Sequence, residues 1–409
     1  MATTEHVTVT AADIEAARPA VETIARRTPV LSSRTFSERA GGTVSLKAEN
    51  LQRTGSFKVR GAAAKLAALG DACASGVVCA SAGNHGQGVA TAAAARGVSC
   101  EVYVPDNAPT GKVEAMVSQG AIVHMAGPTV DDCLVAAKAR AAEDGLCFVH
   151  PFDDPHVIAG QGSIGLELLE EVDDLAMVVV PVGGGGLASG IAIAIKSARP
   201  EVRVIGVQAA ACAPFQASLR SGRSEPVDSA LTIADGIAVK SPGELTLRLL
   251  HEWLDDLVVV GEDEIAEAMV LCLERAKLAV EGAGAAGVAA LLGGQLPPAA
   301  QGTTVAVLSG GNVDATLLAT VARRYETQAG RRLVLFTKLP DRPGALADLL
   351  GHVAGMGANI LDVQHVREGV DLHVRETAVE LVLETRGREH AKHVGEELGR
   401  AGYEARVVR

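Results

Sequence analysis

The sequence of 409 residues predicts an α/β protein built on parallel sheets, followed by a smaller ferredoxin-like unit. Three observations predict this fold class. Apolar runs typical of buried strands alternate with Ala-rich, helix-like segments from about Gly76 onward, which indicates a parallel sheet covered on both faces. Glycine-rich turns follow three of these strands. After about residue 330 the order of elements becomes β-α-β-β-α-β, the ferredoxin-like order.

The elements fall into three blocks along the chain. The first block has predicted strands over 77–80, 98–104, 121–125 and 146–150, and helices near 87–96, 112–119 and 130–143. The second has a helix near 158–171, a strand over 176–182, a helix from 187, a strand over 202–208, helices over 262–280 and 285–292, and a last buried strand over 303–308. The third has strands over 331–338, 359–367, 377–385 and 404–408, and helices over 344–356 and 389–400.

Charge separates the last block from the rest of the chain. The 37 Lys and Arg residues stand against 49 Asp and Glu residues, a formal net charge of −12. Residues 331–409 hold 12 basic and 12 acidic side chains, so the whole net charge belongs to the first 330 residues. We therefore predict a main domain over 1–323, a linker over 324–330 and a C-terminal domain over 331–409.

The same composition excludes several classes of function. An acidic chain with ten aromatic residues is poorly suited to bind nucleic acid, because it lacks both counter-charge for phosphates and stacking surface for bases. No basic-then-apolar segment opens the chain, and the uncharged stretch 175–195 is interrupted by Pro181 and four glycines, so we expect neither a secretory signal nor a membrane span. The seven cysteines form no CxxC pair, which predicts reduced thiols in a cytoplasmic protein and no metal site.

Three glycine-rich turns lie where ligands bind in open parallel sheets, at the ends of strands. They are Ser81-Ala-Gly-Asn-His85, Pro181-Val-Gly-Gly-Gly-Gly-Leu187 and Ser309-Gly-Gly-Asn312. The run Gly183–Gly186 opens a helix, and its backbone N–H groups could cradle a phosphate. Tight packing would explain two of these glycines but hardly four. No acidic residue follows the next strand at Gln208 to bind a ribose, so we predict phosphate binding without NAD.

Lys58 is the candidate nucleophile of the chain. It stands near the start of an Ala-rich helix, where the partial positive charge of the helix end favours the neutral amine. A neutral lysine can form a Schiff base with an aldehyde, although most lysines at such positions are simply solvated. The position alone does not identify an aldehyde cofactor.

Residues 47–61, Lys-Ala-Glu-Asn-Leu-Gln-Arg-Thr-Gly-Ser-Phe-Lys-Val-Arg-Gly, resemble the cofactor-lysine motif of the serine/threonine dehydratases (threonine ammonia-lyases). These enzymes belong to the tryptophan synthase β-like, pyridoxal-phosphate dependent family. The three glycine-rich turns match that family's other signatures in the same chain order. The resemblance implies a two-lobed fold type II enzyme, with a small lobe over about 51–149 inserted into a large lobe and the cofactor, pyridoxal 5'-phosphate, between them.

The resemblance also implies roles for individual residues. Lys58 would form the internal aldimine and act as the catalytic base. The cofactor would further contact the Phe57 ring, Asn84 at its 3-hydroxyl, Gly183, Gly184, Gly185 and Gly186 at its phosphate, and Ser309 at its pyridine nitrogen. The substrate carboxylate would be framed by Ser81, Asn84 and His85. Glu281 sits where the family has an acidic residue near the ring. A monovalent cation held by backbone carbonyls is left open.

The implied reaction is β-elimination from a hydroxy amino acid. Lys58, displaced by the substrate amine, would remove the Cα proton, and the cofactor would accept the resulting electrons. Loss of the β-hydroxyl then gives a product that hydrolyses to a 2-oxo acid and ammonia: 2-oxobutanoate from L-threonine, pyruvate from L-serine. The cofactor phosphate is one candidate for the acid that assists the departing hydroxyl.

Two features of the chain depart from the serine racemases of the same family. Those racemases have a serine before the Gly-Asn-His triplet as a second base, where this chain has Ala82. They also place acidic metal ligands after the strand that ends here at Gln208, where this chain has Cys212 and Pro214, which are poor ligands for a hard divalent ion. Both differences favour a dehydratase.

The C-terminal block resembles an ACT domain on the basis of two motifs. These are Asp341-Arg-Pro-Gly-Ala-Leu346 before a helix, with Asp341 as its expected cap, and Gly357-Ala-Asn-Ile360 before a strand. ACT domains typically bind an amino acid, so we expect an allosteric effector at Gly344, Leu346, Asn359 and Ile360. The domain could instead serve only to pair subunits of a homo-oligomer, a dimer or tetramer.

The sequence thus predicts a cytoplasmic threonine/serine dehydratase of amino-acid metabolism, in either isoleucine biosynthesis or threonine catabolism. A 3-hydroxyaspartate dehydratase or a serine racemase is the enzymatic alternative. The alternative from another class is an amino-acid-sensing protein with an inert dehydratase-like body.

Overall fold

The computed structural model describes residues 8–228, 231–367 and 372–408. The chain divides into two compact units, 1–314 and 315–409. The strands are β1 (Val30–Ser32), β2 (Val44–Lys47), β3 (Val77–Ala80), β4 (Cys100–Val104), β5 (Ile122–Met125), β6 (Cys147–Phe148), β7 (Leu175–Pro181), β8 (Arg203–Ala209), β9 (Asp256–Val260), β10 (Thr303–Val307), β11 (Arg332–Pro340), β12 (Asn359–Val366), β13 (Glu376–Glu384) and β14 (Arg406–Val407).

The helices alternate with these strands. They are α1 (Ala11–Ile24), α2 (Arg34–Ala40), α3 (Lys58–Leu69), α4 (Asn84–Arg96), α5 (Thr110–Ser118), α6 (Val130–Asp144), α7 (Pro155–Glu171), α8 (Gly186–Ala198), α9 (Pro214–Ser221), α10 (Glu244–Trp253), α11 (Glu262–Leu271), α12 (Gly282–Leu292), α13 (Ala315–Gln328), α14 (Ala345–Gly355) and α15 (Arg388–Arg400). Short 3-10 turns lie at Glu49–Leu51, Gly70–Cys73 and Asp235–Ile237, and a π-helical turn at Cys272–Ala276.

The first unit contains two sheets. The large sheet has the order β1-β2-β10-β7-β8-β9 and is parallel except for β1, which pairs antiparallel with β2. The small sheet has the order β5-β4-β3-β6 and is wholly parallel. Its strands all come from residues 77–148, between β2 and β7 of the large sheet. The predicted α/β class with parallel sheets is therefore confirmed.

The strand cores explain why these segments form buried sheets. Every residue of β2, β3 and β10 is buried, and these strands are rich in Val, Leu and Ala. The apolar faces of α7 and α8 pack on the large sheet, whereas α3 and α4 pack on the small sheet. Burial on both faces is the expected environment for parallel strands.

The second unit has the element order β-α-β-β-α-β from β11 to β14. Its antiparallel sheet has the order β12-β13-β11-β14, with α14 and α15 packed on one face through Leu349, Val353, Val394 and Leu398. The ferredoxin-like topology expected from the sequence is present.

Two local features of the second unit differ from the sequence prediction. The expected linker 324–330 is largely occupied by α13, because residues 315–328 contain neither Gly nor Pro and run on to a left-handed Gly330 at φ +68°. Asp341 does not cap α14: Gly344 holds the cap position, and Asp341 pairs with Arg367 at 2.9 Å.

The helix expected over 262–280 is also shorter in the structure. The α-helix α11 ends at Leu271 and is followed directly by the wider π-helical turn. Helical structure ends at Lys277, which has a left-handed φ of +62°. Among the described residues, no helix is both long and apolar enough to cross a membrane.

Candidate active site

Lys58 is the first residue of α3 and points into a cavity between the two sheets of the first unit. Its Nζ donates to the Pro151 carbonyl at 2.9 Å and lies 5.2 Å from the centre of the Phe57 ring. Burial lowers the Lys58 pKa to about 8, against a smaller opposing effect of the Glu281 carboxylate. A sizeable fraction of the amine is therefore neutral near physiological pH, as Schiff-base chemistry requires.

Buried ion pairs fix the helix that carries Lys58. Arg60, 1% exposed, donates to both carboxylate oxygens of Glu49 at 2.9 and 2.8 Å and to Glu167 at 2.6 Å. Lys47, at the end of β2, pairs with Glu167 at 2.7 Å. This cluster ties α3 to the large sheet and to α7 two residues after the catalytic candidate.

The glycine turn after β7 begins α8. Gly185 caps the helix with a left-handed φ of +93°, and the first helical hydrogen bond runs from the Ser189 N–H to the Gly185 carbonyl at 2.9 Å. The N–H groups before Ser189 therefore form the electropositive start of the helix. This arrangement is well suited to an anionic group such as a phosphate.

Packing restricts all four of these glycines, which is more than the sequence indicated. A Cβ on Gly184 would overlap the Phe152 ring, and one on Gly186 would lie 2.8 Å from the Phe152 carbonyl oxygen. A Cβ on Gly185 would lie 2.9 Å from Phe215, and one on Gly183 would lie 3.0 Å from the Cα of Ile237. Steric constraint accounts for glycine here independently of any ligand.

The turn after β3 presents Ser81 and His85 to the cavity. The Ser81 hydroxyl accepts from the Gly83 N–H at 3.0 Å, and His85 Nε2 donates to the Val149 carbonyl at 3.0 Å. Burial, with a contribution from Lys58, lowers the pKa of His85 to about 3. The imidazole is therefore neutral, and its outward hydrogen bond holds the turn in place.

Asn84 and Glu281 meet across the cavity although they are far apart in the sequence. Asn84 Nδ2 donates to Glu281 at 2.7 Å, and Asn84 Oδ1 accepts from Asn312 at 2.7 Å. Burial and the charge of Asp235 raise the Glu281 pKa to about 7, while the bond from Asn84 opposes the shift. Glu281 thus exchanges a proton near neutral pH.

Ser309 follows β10 and is 3% exposed. Its carbonyl accepts from the Phe57 N–H at 3.1 Å, and Ser56 bridges to Gly310. The end of the large sheet is thereby joined to the turn that precedes Lys58.

All eleven residues expected at the cofactor and substrate line one cavity of about 760 Å³. They are Phe57, Lys58, Ser81, Asn84, His85, Gly183, Gly184, Gly185, Gly186, Glu281 and Ser309. The volume is typical of a small-molecule site. A partly neutral lysine, a helix start and a buried hydroxyl together form a donor set that fits an aldehyde cofactor with a phosphate.

The structure adds pocket residues that the sequence did not single out. Pro151 and Phe152 follow β6, while Lys112 pairs with Asp235 at 2.8 Å. Asn312 belongs to the glycine-rich turn 309–312, but its contact with Asn84 has no sequence signal, because the partners are 228 residues apart.

Gln208, at the position that departs from the racemases, has a structural role. Its amide donates to the Val182 carbonyl at 3.2 Å and accepts from the Phe215 N–H at 3.0 Å, which joins β8 to the glycine turn and to α9. Cys212 is buried nearby. Across the part of the chain that the structure describes, no three His, Cys, Asp or Glu side chains are grouped as metal ligands.

The four expected effector residues do not share one cavity in the second unit. Leu346 lines a cavity of about 320 Å³ together with His365, Arg367 and the turn before α14. Asn359 instead donates to Glu384 at 3.0 Å, and Ile360 packs on the core of the unit. Gly344 caps α14 beside this cavity.

Comparison with known proteins agrees with this geometry. Residues 21–310 match the family model described as "Pyridoxal-phosphate dependent enzyme". An L-threonine ammonia-lyase of Thermotoga maritima is 46% identical over 402 residues, 98% of this chain and 100% of that protein. A maize serine racemase structure has a TM-score of 0.74 at 33% identity and covers 79% of this chain and 99% of its own. A structure of the processed form of threonine deaminase isoform 2 from Solanum lycopersicum has a TM-score of 0.72 at 34% identity and covers 76% and 86%. The chain belongs to the family of pyridoxal-phosphate dependent enzymes, alongside the L-threonine ammonia-lyases.

Proposed function

We propose that this chain is a lyase that converts L-threonine to 2-oxobutanoate and ammonia, and L-serine to pyruvate and ammonia, with pyridoxal phosphate as cofactor. One observation supports the proposal: the chain is 46% identical over 98% of its length to a protein named L-threonine ammonia-lyase, and its Lys58 lines the same cavity as the other residues expected at the cofactor and substrate.

The cofactor supplies an electron sink for the carbanion formed when the substrate loses its Cα proton. Lys58 would hold the cofactor through its aldehyde, and its Nζ, when free and neutral, would accept the Cα proton of the substrate. Its lowered pKa of about 8 suits both tasks, because each starts from the neutral amine.

Other residues bind and orient the reacting groups. The start of α8 after Gly185 binds the cofactor phosphate, and the backbone of the Ser81–His85 turn binds the substrate carboxylate. Neutral His85 keeps that turn fixed through the Val149 carbonyl. Glu281, with its pKa near 7, orients Asn84 on the opposite side of the cavity.

The dehydratase reaction is favoured over racemisation by the residue at position 82. Ala82 carries no proton-transferring group at the position where the serine racemases have the serine that serves as second base. Similarity of fold to a serine racemase does not alter this, because folds host different reactions.

The test measures 2-oxobutanoate and ammonia from L-threonine with purified holoenzyme. We expect equimolar products, a lower rate with L-serine, and a much lower but measurable rate with 3-hydroxyaspartate. Lys58→Ala should lose both turnover and the visible absorbance of lysine-bound cofactor. Lys65→Arg, on the same helix, is the control that retains both. Absence of product from a chain that binds the cofactor would instead support the sensing alternative.

We further propose that the second unit is an ACT-type regulatory domain that binds an amino acid. The supporting observations are its ferredoxin-like sheet and the cavity at Leu346. Isoleucine and valine are the effectors to test by calorimetry and by their effect on turnover. Leu346→Trp, which fills the cavity, should abolish binding, and an unchanged affinity would place the effector elsewhere.

The remaining proposals concern the state of the enzyme in the cell. We propose a cytoplasmic homo-oligomer, a dimer or tetramer, and a response to monovalent cations. Sedimentation of the purified chain measures the oligomeric state. Turnover in potassium buffers compared with tetramethylammonium buffers measures the response to monovalent cations.

A further inference from the structure

The residues that line the cavity include three lysines and three acidic residues, and four of these six form ion pairs. Lys112 pairs with Asp235 at 2.8 Å, and Lys240 pairs with Asp131 at 3.4 Å. The charged residues that line the cavity are Lys58, Lys112, Lys240, Asp131, Asp235 and Glu281. Among the described cavity residues, Lys58 is the cation outside these pairs, and the proposed function commits it to the cofactor.

Lys112 stands beside the turn proposed to bind the substrate carboxylate. It lies in the first turn of α5 with its side chain 15% exposed, and its Cδ lies 3.4 Å and its Nζ 3.8 Å from where a Cβ on Gly83 would be. An ammonium group at this place would attract any negative group carried by a substrate.

Asp235 neutralises that ammonium group. It opens the short turn Asp235–Ile237, which contacts the glycine loop through Ile237 and Gly183. Its carboxylate, on a side chain that is 60% exposed, accepts from Lys112 Nζ at 2.8 Å, and its negative charge helps to raise the pKa of Glu281. A second carboxylate on a substrate would meet an already paired lysine and a negatively charged aspartate.

We propose that Asp235 is a specificity-determining residue: by pairing with Lys112 beside Gly83, it selects amino-acid substrates with a single carboxylate against amino dicarboxylates. The inference rests on the proposed function, since it concerns which hydroxy amino acids the same site accepts. Removing the aspartate charge leaves Lys112 available to a β-carboxylate and removes a repulsive charge at the same time.

The test compares 3-hydroxyaspartate with L-threonine. In Asp235→Asn, the ratio of kcat/KM for 3-hydroxyaspartate to kcat/KM for L-threonine should rise about 3-fold or more, because the Asp235 side chain is 60% exposed and solvent screens part of the charge contact. Adding Lys112→Met to this variant should return the ratio toward that of the wild type. Asp131→Asn, which makes the same charge change at the other ion pair, should move the ratio much less.

A second readout separates this inference from the proposed reaction. L-aspartate and L-alanine carry no β-hydroxyl, so they bind without dehydration, and their binding can be followed by the cofactor absorbance. Asp235→Asn should tighten L-aspartate binding relative to L-alanine even if L-threonine proved not to be the substrate. Equal changes for both ligands, or the same shift in Asp131→Asn, would overturn the proposal. Failure of the wild type to dehydrate L-threonine would overturn only the proposed function.

Discussion

Replacing Arg60 with methionine should remove much of the stability of the first unit. The guanidinium is buried between Glu49 and Glu167, which it contacts through three hydrogen bonds of 2.9 Å or less. Without it, Glu49 keeps a buried carboxylate beside the Thr28 hydroxyl and the charge of Lys47. Breaking a buried ion pair in this way costs about 3–5 kcal/mol, against a typical total stability of about 5–15 kcal/mol.

The single tryptophan offers a probe of the first unit alone. Trp253 ends α10 and packs on the core of the large sheet, so its fluorescence during urea unfolding reports on that unit. The urea midpoint should fall at an unchanged slope. Adding Glu49→Gln to Arg60→Met removes the uncompensated charge and should recover a substantial part of the loss.

The pH dependence provides an independent check of the same reasoning. Burial alone would raise the Glu49 pKa, but Arg60, together with the Thr28 hydroxyl and the charge of Lys47, outweighs burial and holds the pKa below the ordinary 4.5. In the wild type this carboxylate therefore stabilises the fold above the ordinary pKa and loses its effect as pH falls. In Arg60→Met burial dominates, so protonation of Glu49 removes the cost of a buried, unpaired charge. The difference in free energy of unfolding between the wild type and Arg60→Met should therefore become smaller as pH falls. A loss below about 1 kcal/mol, or a double variant no more stable than the single one, would refute the argument.

Two further predictions concern the cofactor lysine and the glycine turn. The rate at which apoenzyme gains cofactor absorbance should rise as pH increases through about 8, because only neutral Lys58 reacts with an aldehyde. Glu281→Gln should move this inflection to lower pH, since the Glu281 carboxylate raises the Lys58 pKa; an unmoved inflection would contradict that coupling. Gly185→Ala should lower the urea midpoint more than Gly294→Ala. Both glycines are left-handed, at φ +93° and +78°, but the site at Gly294 is open, so alanine there costs only about 1–2 kcal/mol of backbone strain. An equal fall of the urea midpoint in both variants would mean that the contact between Phe215 and a Cβ at position 185 costs no stability.

The sequence was most informative where local pattern and final environment agree. The strand over 77–80 was predicted with its observed bounds, because four buried apolar residues between glycine-bearing turns suit a central parallel strand. β2 is not among the predicted strands, and Ser45 and Lys47 interrupt its apolar run. In the structure the Lys47 ammonium is buried against Glu167, which no local pattern could reveal. The helix α13 runs through most of the predicted linker for a related reason: net charge can change at a domain seam, whereas helix formation follows residue propensity.

The site also has a part that the sequence predicts and a part that it does not. The motif residues can be predicted because each motif is contiguous and all four follow in order along the chain. The pairing of Lys112 with Asp235 joins positions 123 residues apart, and the contact of Phe152 with Gly184 depends on how β6 and β7 are placed. Such contacts belong to the folded arrangement of the sheets, so the electrostatic balance of the cavity emerges only with the structure.

The place of β10 in the large sheet sets an order for assembly during translation. β10 lies between β2 and β7, so two strands made early in synthesis stay unjoined until residues 303–307 leave the ribosome. The small sheet needs only residues 77–148 and can form long before, because local pairing is faster than pairing across long separations. Ser309 is the last residue of the cavity to be synthesised. A nascent chain halted shortly before it would carry Lys58 on a finished helix beside an unfinished pocket.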